Sequence, residues 1–291
     1  MKGLKNNTLS GIWEWFTGQL SYEPNETKAI GRLIFEHFLG VTATDFIAKK
    51  DLRFSESQIV SIHKAIRKLQ NNIPVQHITG ISYFRDLTLK VNKHVLIPRP
   101  ETEELVQWIL DDTYQNKDTS LQIWDIGTGS GAIAISLAKE LNKVMKVEVR
   151  ASDISLEALQ TAIENAKFNN TKVDFFHHDI LNDTLPDQKY DCIISNPPYV
   201  KESEKALMQA NVLDHEPHTA LFVPEDNPLL FYKAIATIAK QKLRPGGSLY
   251  VEINEALGEK TTELFAGKGF VSLQLRRDIH SKNRFVKGVA P

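Results

Sequence analysis

The stretch richest in chemistry is Ile194-Ser195-Asn196-Pro197-Pro198-Tyr199-Val200. Consecutive prolines remove backbone donors and fix φ, so Pro197 and Pro198 make a rigid loop whose carbonyl oxygens point outward. The Asn196 side-chain oxygen and the Pro197 carbonyl then accept the two hydrogens of a planar –NH2 group, and Tyr199 offers a flat ring beside it. An amide or aryl amine nitrogen is a poor nucleophile because its lone pair is delocalised. Acceptors on its hydrogens raise its electron density and aim it, so positioning and electrostatics supply the rate gain. Methyl transfer to such a nitrogen suits this tetrapeptide and needs neither a metal nor a covalent nucleophile. Asn196, Pro197 and Tyr199 are the catalytic candidates. The plain alternative is a turn that ends a strand.

A second cluster is Asp125-Ile126-Gly127-Thr128-Gly129-Ser130-Gly131-Ala132, between an apolar run and a helical one. Glycines there permit a sharp turn and close backbone approach to a ligand. Gly127, Gly129 and Ala132 satisfy G-x-G-x-x-G/A, a pattern that does not separate a dinucleotide from another adenosine-bearing cofactor. The next strand ends at Asp153, 26 residues after Gly127, where a carboxylate accepts from ribose hydroxyls or, alternatively, starts the following helix. Asp179 either caps its own turn or meets an adenine amino group.

The elements around these residues alternate. Strands are predicted at Leu121–Ile126, Val147–Asp153, Val173–Phe176, Tyr190–Ser195, Ser248–Ile253, Phe270–Leu275 and Arg284–Val289. Helices are predicted at Ile133–Leu141, Ser155–Phe168, Pro228–Lys242 and Ala256–Ala266. Such alternation predicts an α/β fold with a parallel sheet covered on both faces, its ligands bound beyond the strand C-termini. The first 75 residues read differently. Trp13, Phe16 and Leu20, then Ile30, Leu33, Ile34 and Phe38, then Ile59, Ile62, Ile66 and Leu69, recur at helical spacing. Between the two parts, Tyr83-Phe84, Leu87–Val91 and Val95–Ile97 read as short strands, and Pro98-Arg99-Pro100 breaks the chain before a helix carrying Leu105 to Leu110. The expected organisation is a helical domain over 1–75, a linker with a β-hairpin over 76–100 and a catalytic domain over 101–291.

Composition excludes several classes. Lys plus Arg is 35 against 36 for Asp plus Glu, a net charge of −1, so no globally basic nucleic-acid footprint exists. A single cysteine, Cys192, excludes an internal disulfide and a multi-cysteine zinc site. The opening Met1-Lys2-Gly3-Leu4-Lys5 lacks a signal-peptide core, and no run approaches the ~18 apolar residues of a membrane span. A soluble cytoplasmic protein is expected, with no membrane association, and nothing demands more than a monomer.

Together these motifs resemble class I S-adenosylmethionine-dependent methyltransferases that modify planar nitrogens. More closely, the chain resembles the bacterial peptide chain release factor glutamine N5-methyltransferases. Pro74-Val75-Gln76-His77-Ile78-Thr79-Gly80 is similar to that family's linker motif, and Val95-Leu96-Ile97-Pro98-Arg99-Pro100-Glu101-Thr102-Glu103 to its interdomain signature. The glycine loop and Asn196-Pro197-Pro198-Tyr199 follow in the family's order. The resemblance covers nearly the whole chain. It implies a Rossmann-like sheet, parallel with an antiparallel edge strand, behind a small all-α domain. It implies S-adenosylmethionine as cofactor, S-adenosylhomocysteine as product and no metal. The acceptor it implies is the glutamine of the Gly-Gly-Gln loop of class 1 peptide chain release factors, with no nucleic acid required. On that basis Gly127, Thr128, Gly129, Ser130 and Gly131 line the methionine part of the cofactor and Asp153 holds the ribose. Asp179 and Ile180 lie at the adenine, where the family can carry an aromatic residue in place of Ile180. Asn196 lies near the cofactor and, with Pro197, Pro198, Tyr199, Leu96 and Arg99, at the acceptor.

Other residues read as structural. His177-His178-Asp179 mimics a metal cluster, but adjacent strand residues face opposite ways. His215 and His218 lie in the long loop after Tyr199, which either shapes the acceptor pocket or lies on the surface. Cys192 reads as a buried inert thiol, Glu252 and Asn254 as bonded to loop backbone or, alternatively, in contact with ligand, and Arg276-Arg277 as a solvated strand end. The competing function is methylation of an adenine or cytosine amino group in DNA or RNA. Residues 1–75 carry ten Lys or Arg against seven acids, a slight excess that does not favour it. A nicotinamide-dependent oxidoreductase leaves Asn-Pro-Pro-Tyr unexplained, and a non-enzymatic binder leaves both motifs intact without use.

Overall fold

Helix α1 (Leu9–Thr17) opens where Thr8, in extended conformation, accepts the Gly11 N–H on its side chain, an N-cap bond. Helix α2 (Pro24–Leu39) starts on a proline and stops at Gly40 in the left-handed region. After the single turn α3 (Asp45–Ala48), α4 (Glu56–Gln70) begins with a reciprocal Ser55–Gln58 capping box. The apolar faces of these helices close on one core that includes Ile12, Phe16, Ile34, Phe35, Ile62 and Leu69. Gly31 permits the approach of α2, since a Cβ there would stand 2.7 Å from the Trp13 ring. The chain then makes a helix the sequence reading does not contain, α5 (Val75–Thr79), before Gly80 turns it at φ +72°. Met1–Gly80 together with Gln209–His215 form one compact unit, and Ile81–Met208 with Glu216–Pro291 form the other. This computed structural model describes residues 3–115, 120–184 and 187–291.

The second unit opens with an antiparallel hairpin of β1 (Ile81–Phe84) and β2 (Leu87–Lys90). Val95-Leu96-Ile97 is not a strand. Its alternation is real, with Val95 and Ile97 buried and Leu96 half-buried, but among the described residues no strand pairs with it. Its backbone donors go elsewhere: Val95 N–H donates to Asn92 O at 3.2 Å and Ile97 N–H to Glu216 Oε2 at 3.1 Å.

The chain continues through α6 (Pro100–Gln115), β3 (Ser120–Ile126), α7 (Ala132–Leu141), β4 (Lys146–Asp153), α8 (Leu156–Phe168), β5 (Asp174–His177) and β6 (Tyr190–Ser195). Then come β7 (Val200–Lys201), α9 (Ala210–Leu213), β8 (Phe222–Val223), α10 (Leu230–Lys242), β9 (Leu243–Glu252), α11 (Gly258–Gly267), β10 (Val271–Arg277) and β11 (Asn283–Val289). Seven strands form one sheet in the order β10-β11-β9-β6-β3-β4-β5. It is parallel except that β11 runs antiparallel to both β9 and β10. Apolar residues of α6 and α7 pack on one face, and of α10 and α11 on the other, so the central strands β3 and β6 are buried along most of their length, as cover on both faces requires. The order reverses between β3 and β6, and that switch point puts the two loops singled out by sequence side by side at the carboxyl edge.

Candidate active site

At the end of β3, Gly127 and Thr128 both donate backbone N–H to Ser152 O, at 2.8 and 2.9 Å. The glycine loop is thereby tied to the end of β4. Gly127, Gly129 and Gly131 have φ of +73°, +55° and +83°, a region that strains any residue with a Cβ. Nothing lies within 4 Å of the Cβ positions of Gly127 and Gly129, whereas at Gly131 a Cβ would strike Ile135 Cδ1 at 2.8 Å. The first two glycines thus leave an open cradle, and the third permits tight helix packing. Asn165, fully buried in α8, donates to Ser130 O at 2.9 Å and Lys90 O at 3.0 Å and accepts from Lys90 N at 2.7 Å. One amide joins the hairpin to the glycine loop.

Asp153 ends β4 beside this loop. Its Oδ2 accepts the Gly129 N–H at 2.8 Å and its Oδ1 the Ser155 N–H at 2.9 Å. Burial raises its pKa, against the pull of those backbone donors. Each carboxylate oxygen keeps a second acceptor site, so binding a diol is compatible with both bonds. Asp179 caps its own turn: Oδ1 accepts from Leu181 N at 2.9 Å and Oδ2 from Asn182 Nδ2 at 2.7 Å, bonds that hold its carboxyl below the usual range.

A cavity of about 380 Å³ opens between these loops, the size of a small-cofactor pocket. Gly127 to Ser130, Asp153, Asp179 and Ile180 line one part of it, and Leu96, Arg99, Asn196, Pro197 and Pro198 another. Of the expected site residues, Gly131 and Tyr199 are not in its lining. Tyr199 stands behind the wall, where its hydroxyl donates to Glu252 Oε1 at 3.1 Å and its carbonyl accepts from Asn254 Nδ2 at 3.2 Å. Burial, with the Glu252 charge, holds the Tyr199 phenol well above its ordinary pKa, so it remains a donor.

Sequence reasoning missed four partners. Thr102, read from sequence as part of the interdomain signature, accepts from Asn196 Nδ2 at 3.2 Å and donates to Glu252 Oε2 at 2.7 Å. Glu216, from the long loop after Tyr199, pairs with Arg99 at 2.7 Å. Asn165 braces the glycine loop. Phe222, at the β7–β8 pairing that folds the same loop back, lines the cavity. None carries a local spacing signal. The only hint was the length of that loop, which the sequence reading did consider as a wall of the acceptor pocket.

The residues set aside fall as follows. His177, the last residue of β5, is exposed, and His178, just beyond the strand, is buried. His215 Nε2 lies 3.1 Å from Asn71 O, and burial pushes the Cys192 thiol up. Arg276 stacks over Trp108 at 4.1 Å. Among the described residues no group of three or more His, Cys, Asp or Glu is placed to hold a metal ion, and no helix is long and apolar enough to cross a membrane.

Fold and site together define a methyltransferase domain, and the "Methyltransferase small domain" model matches residues 106–221. The "PrmC N-terminal domain" model matches residues 12–80. A T. thermophilus 16S rRNA N2 G1207 methyltransferase, solved with AdoMet and guanosine, shares the fold at TM-score 0.52 and 19% identity over 72% of this chain and 50% of that one. Release factor glutamine methyltransferases are far more similar in sequence. The protein from Flavobacterium psychrophilum is 40% identical over 91% of this chain and 93% of its own length. That from Bacteroides thetaiotaomicron is 43% identical, again over 91% and 93%. The chain belongs to the release factor glutamine methyltransferase family.

Proposed function

We propose that this enzyme methylates the side-chain amide nitrogen, N5, of the glutamine in the Gly-Gly-Gln loop of class 1 release factors, in the cytoplasm, using S-adenosylmethionine. The observation that carries the reading is one cavity with an open two-glycine cradle and an acidic strand end in one part and the rigid Asn196-Pro197-Pro198 loop in another. The cofactor supplies a methyl group on a positively charged sulfur when bound. Gly127 to Ser130 take its amino-acid part, and Gly131 shapes that loop from behind. Asp153 accepts from the ribose hydroxyls, and Asp179 and Ile180 border the adenine. Asn196 Oδ1 and the Pro197 carbonyl accept the two amide hydrogens of the glutamine, holding its nitrogen in line and raising its electron density. Pro198, Leu96 and Arg99 wall the acceptor, while Tyr199 supports the loop from outside the cavity. The helical unit docks the protein substrate.

Labelled S-adenosylmethionine is incubated with a release factor, with its Gln→Ala loop variant and with bulk nucleic acid. Label on the intact release factor alone is expected; label on nucleic acid alone overturns the acceptor. Asn196→Ala is expected to cut kcat by about 100-fold, as loss of one preorganised hydrogen-bonding group does, with cofactor affinity unchanged. Parental turnover in that variant removes Asn196 from the mechanism.

A further inference from the structure

An asparagine amide has a donor end and an acceptor end of nearly equal shape, and a rigid loop does not by itself choose between them. Here the choice is made by hydroxyl protons. Thr102, 5% exposed on the first turn of α6, has one proton to give. It donates that proton to Glu252 Oε2 at 2.7 Å. Glu252, 1% exposed at the end of β9, also accepts from Tyr199 Oη at 3.1 Å on its other oxygen. Burial raises the Glu252 pKa and the two hydroxyl bonds oppose that rise; each hydroxyl gives its proton to a different oxygen of the carboxyl group. The Thr102 oxygen is left as an acceptor, and Asn196 meets it with Nδ2 at 3.2 Å. The Oδ1 end is then presented the other way. The opposite setting puts an –NH2 group against the –NH2 of the acceptor, donor to donor.

We propose that Glu252, acting through Thr102, is a positioning residue that orients the Asn196 amide with its oxygen toward the acceptor nitrogen. This rests on the methyl-transfer reading above. It explains why the fold keeps a carboxylate in its interior, where an acid is costly unless its oxygens are bonded. It also explains why α6 carries a buried threonine in its first turn. The same carboxylate anchors Tyr199, so one acid braces both ends of the Asn-Pro-Pro-Tyr loop.

The test uses the full-length enzyme with Thr102→Val, Thr102→Ser, Glu252→Gln and the Thr102→Val/Glu252→Gln double variant. Thr102→Val is expected to lower kcat ~10- to 100-fold, the range a misaimed group costs, with cofactor affinity by calorimetry unchanged and Thr102→Ser restoring most of the rate. Because Glu252 acts through Thr102, the double variant is expected to be no slower than the worse single one. Losses that multiply, parental kcat in Thr102→Val or no rescue by serine overturn the proposal. A second measurement needs no release factor. In asparagine-labelled protein the Asn196 side-chain –NH2 signal, identified by its absence in Asn196→Ala, is expected to move in Thr102→Val and stay in Thr102→Ser. A signal unmoved by valine refutes the hydrogen-bond chain, whereas an inactive parent with the expected signal pattern refutes only the glutamine reading.

Discussion

Asp125 lies directly under the glycine loop with no exposed surface, and its Oδ2 accepts the Thr128 hydroxyl at 2.7 Å. Burial raises its pKa from 3.8 to about 7, helped by the Asp153 charge and opposed by the Thr128 bond. The folded state therefore holds this proton more tightly than the unfolded state between those values, and stability falls as pH rises across that window. At ~1.4 kcal/mol per pH unit, the cost of ionising Asp125 reaches about 4 kcal/mol above pH 7. Asp125→Asn keeps an oxygen for Thr128 and removes the titration. Near pH 4 the two proteins are expected to be about equally stable, since both groups are neutral. The variant is expected to gain on the parent steadily to pH 7, then hold an advantage of a few kcal/mol. Urea unfolding of both proteins from pH 4 to 8 measures this. A stability difference that does not change with pH, or one in which the parent gains as pH rises, refutes the reasoning.

Asp153→Ala is expected to weaken S-adenosylmethionine binding ~10- to 100-fold, the worth of hydrogen bonds to a charged acceptor; calorimetry giving the parental Kd removes its ribose role. Glu216→Ala unties Ile97 and Arg99 from the long loop. Because Arg99 is a third exposed, the loss is expected at ~1–3 kcal/mol, less than for a fully buried pair. The KM for the release factor is expected to rise while cofactor affinity stays, and steady-state kinetics with no change in KM would show that the loop does not shape the acceptor site.

The sheet was legible because burial on both faces writes itself into each strand locally. Leu121 to Ile126 and Tyr190 to Ser195 are apolar runs bounded by turns, and they fold as β3 and β6. Val95-Leu96-Ile97 carries the same signal without being a strand. Its side chains alternate in and out, but its backbone donors go to a local turn carbonyl and to the Glu216 side chain, and hydropathy cannot distinguish that from a ladder. Helix α5 was hidden for the converse reason: five residues between a proline and a glycine are too short for a periodic signal, and packing against the helical core supplies what propensity does not.

The site divides along the same line. The residues proposed to touch ligand sit in contiguous motifs, since one turn of backbone must supply several groups at once. The residues that aim them are contributed from afar. Thr102 and Glu252 are 150 positions apart, Ile97 and Glu216 119, Lys90 and Asn165 75. No spacing rule reaches across such gaps, because the fold alone brings the partners together. Asp153 shows why alternatives drawn from one sequence need not exclude each other. Read as ribose acceptor or as the start of α8, it is bonded to the glycine loop by one oxygen and to the helix start by the other. A carboxylate fixed on both sides is held in one orientation, so the helix-starting bond gives the proposed ribose-binding role its geometry.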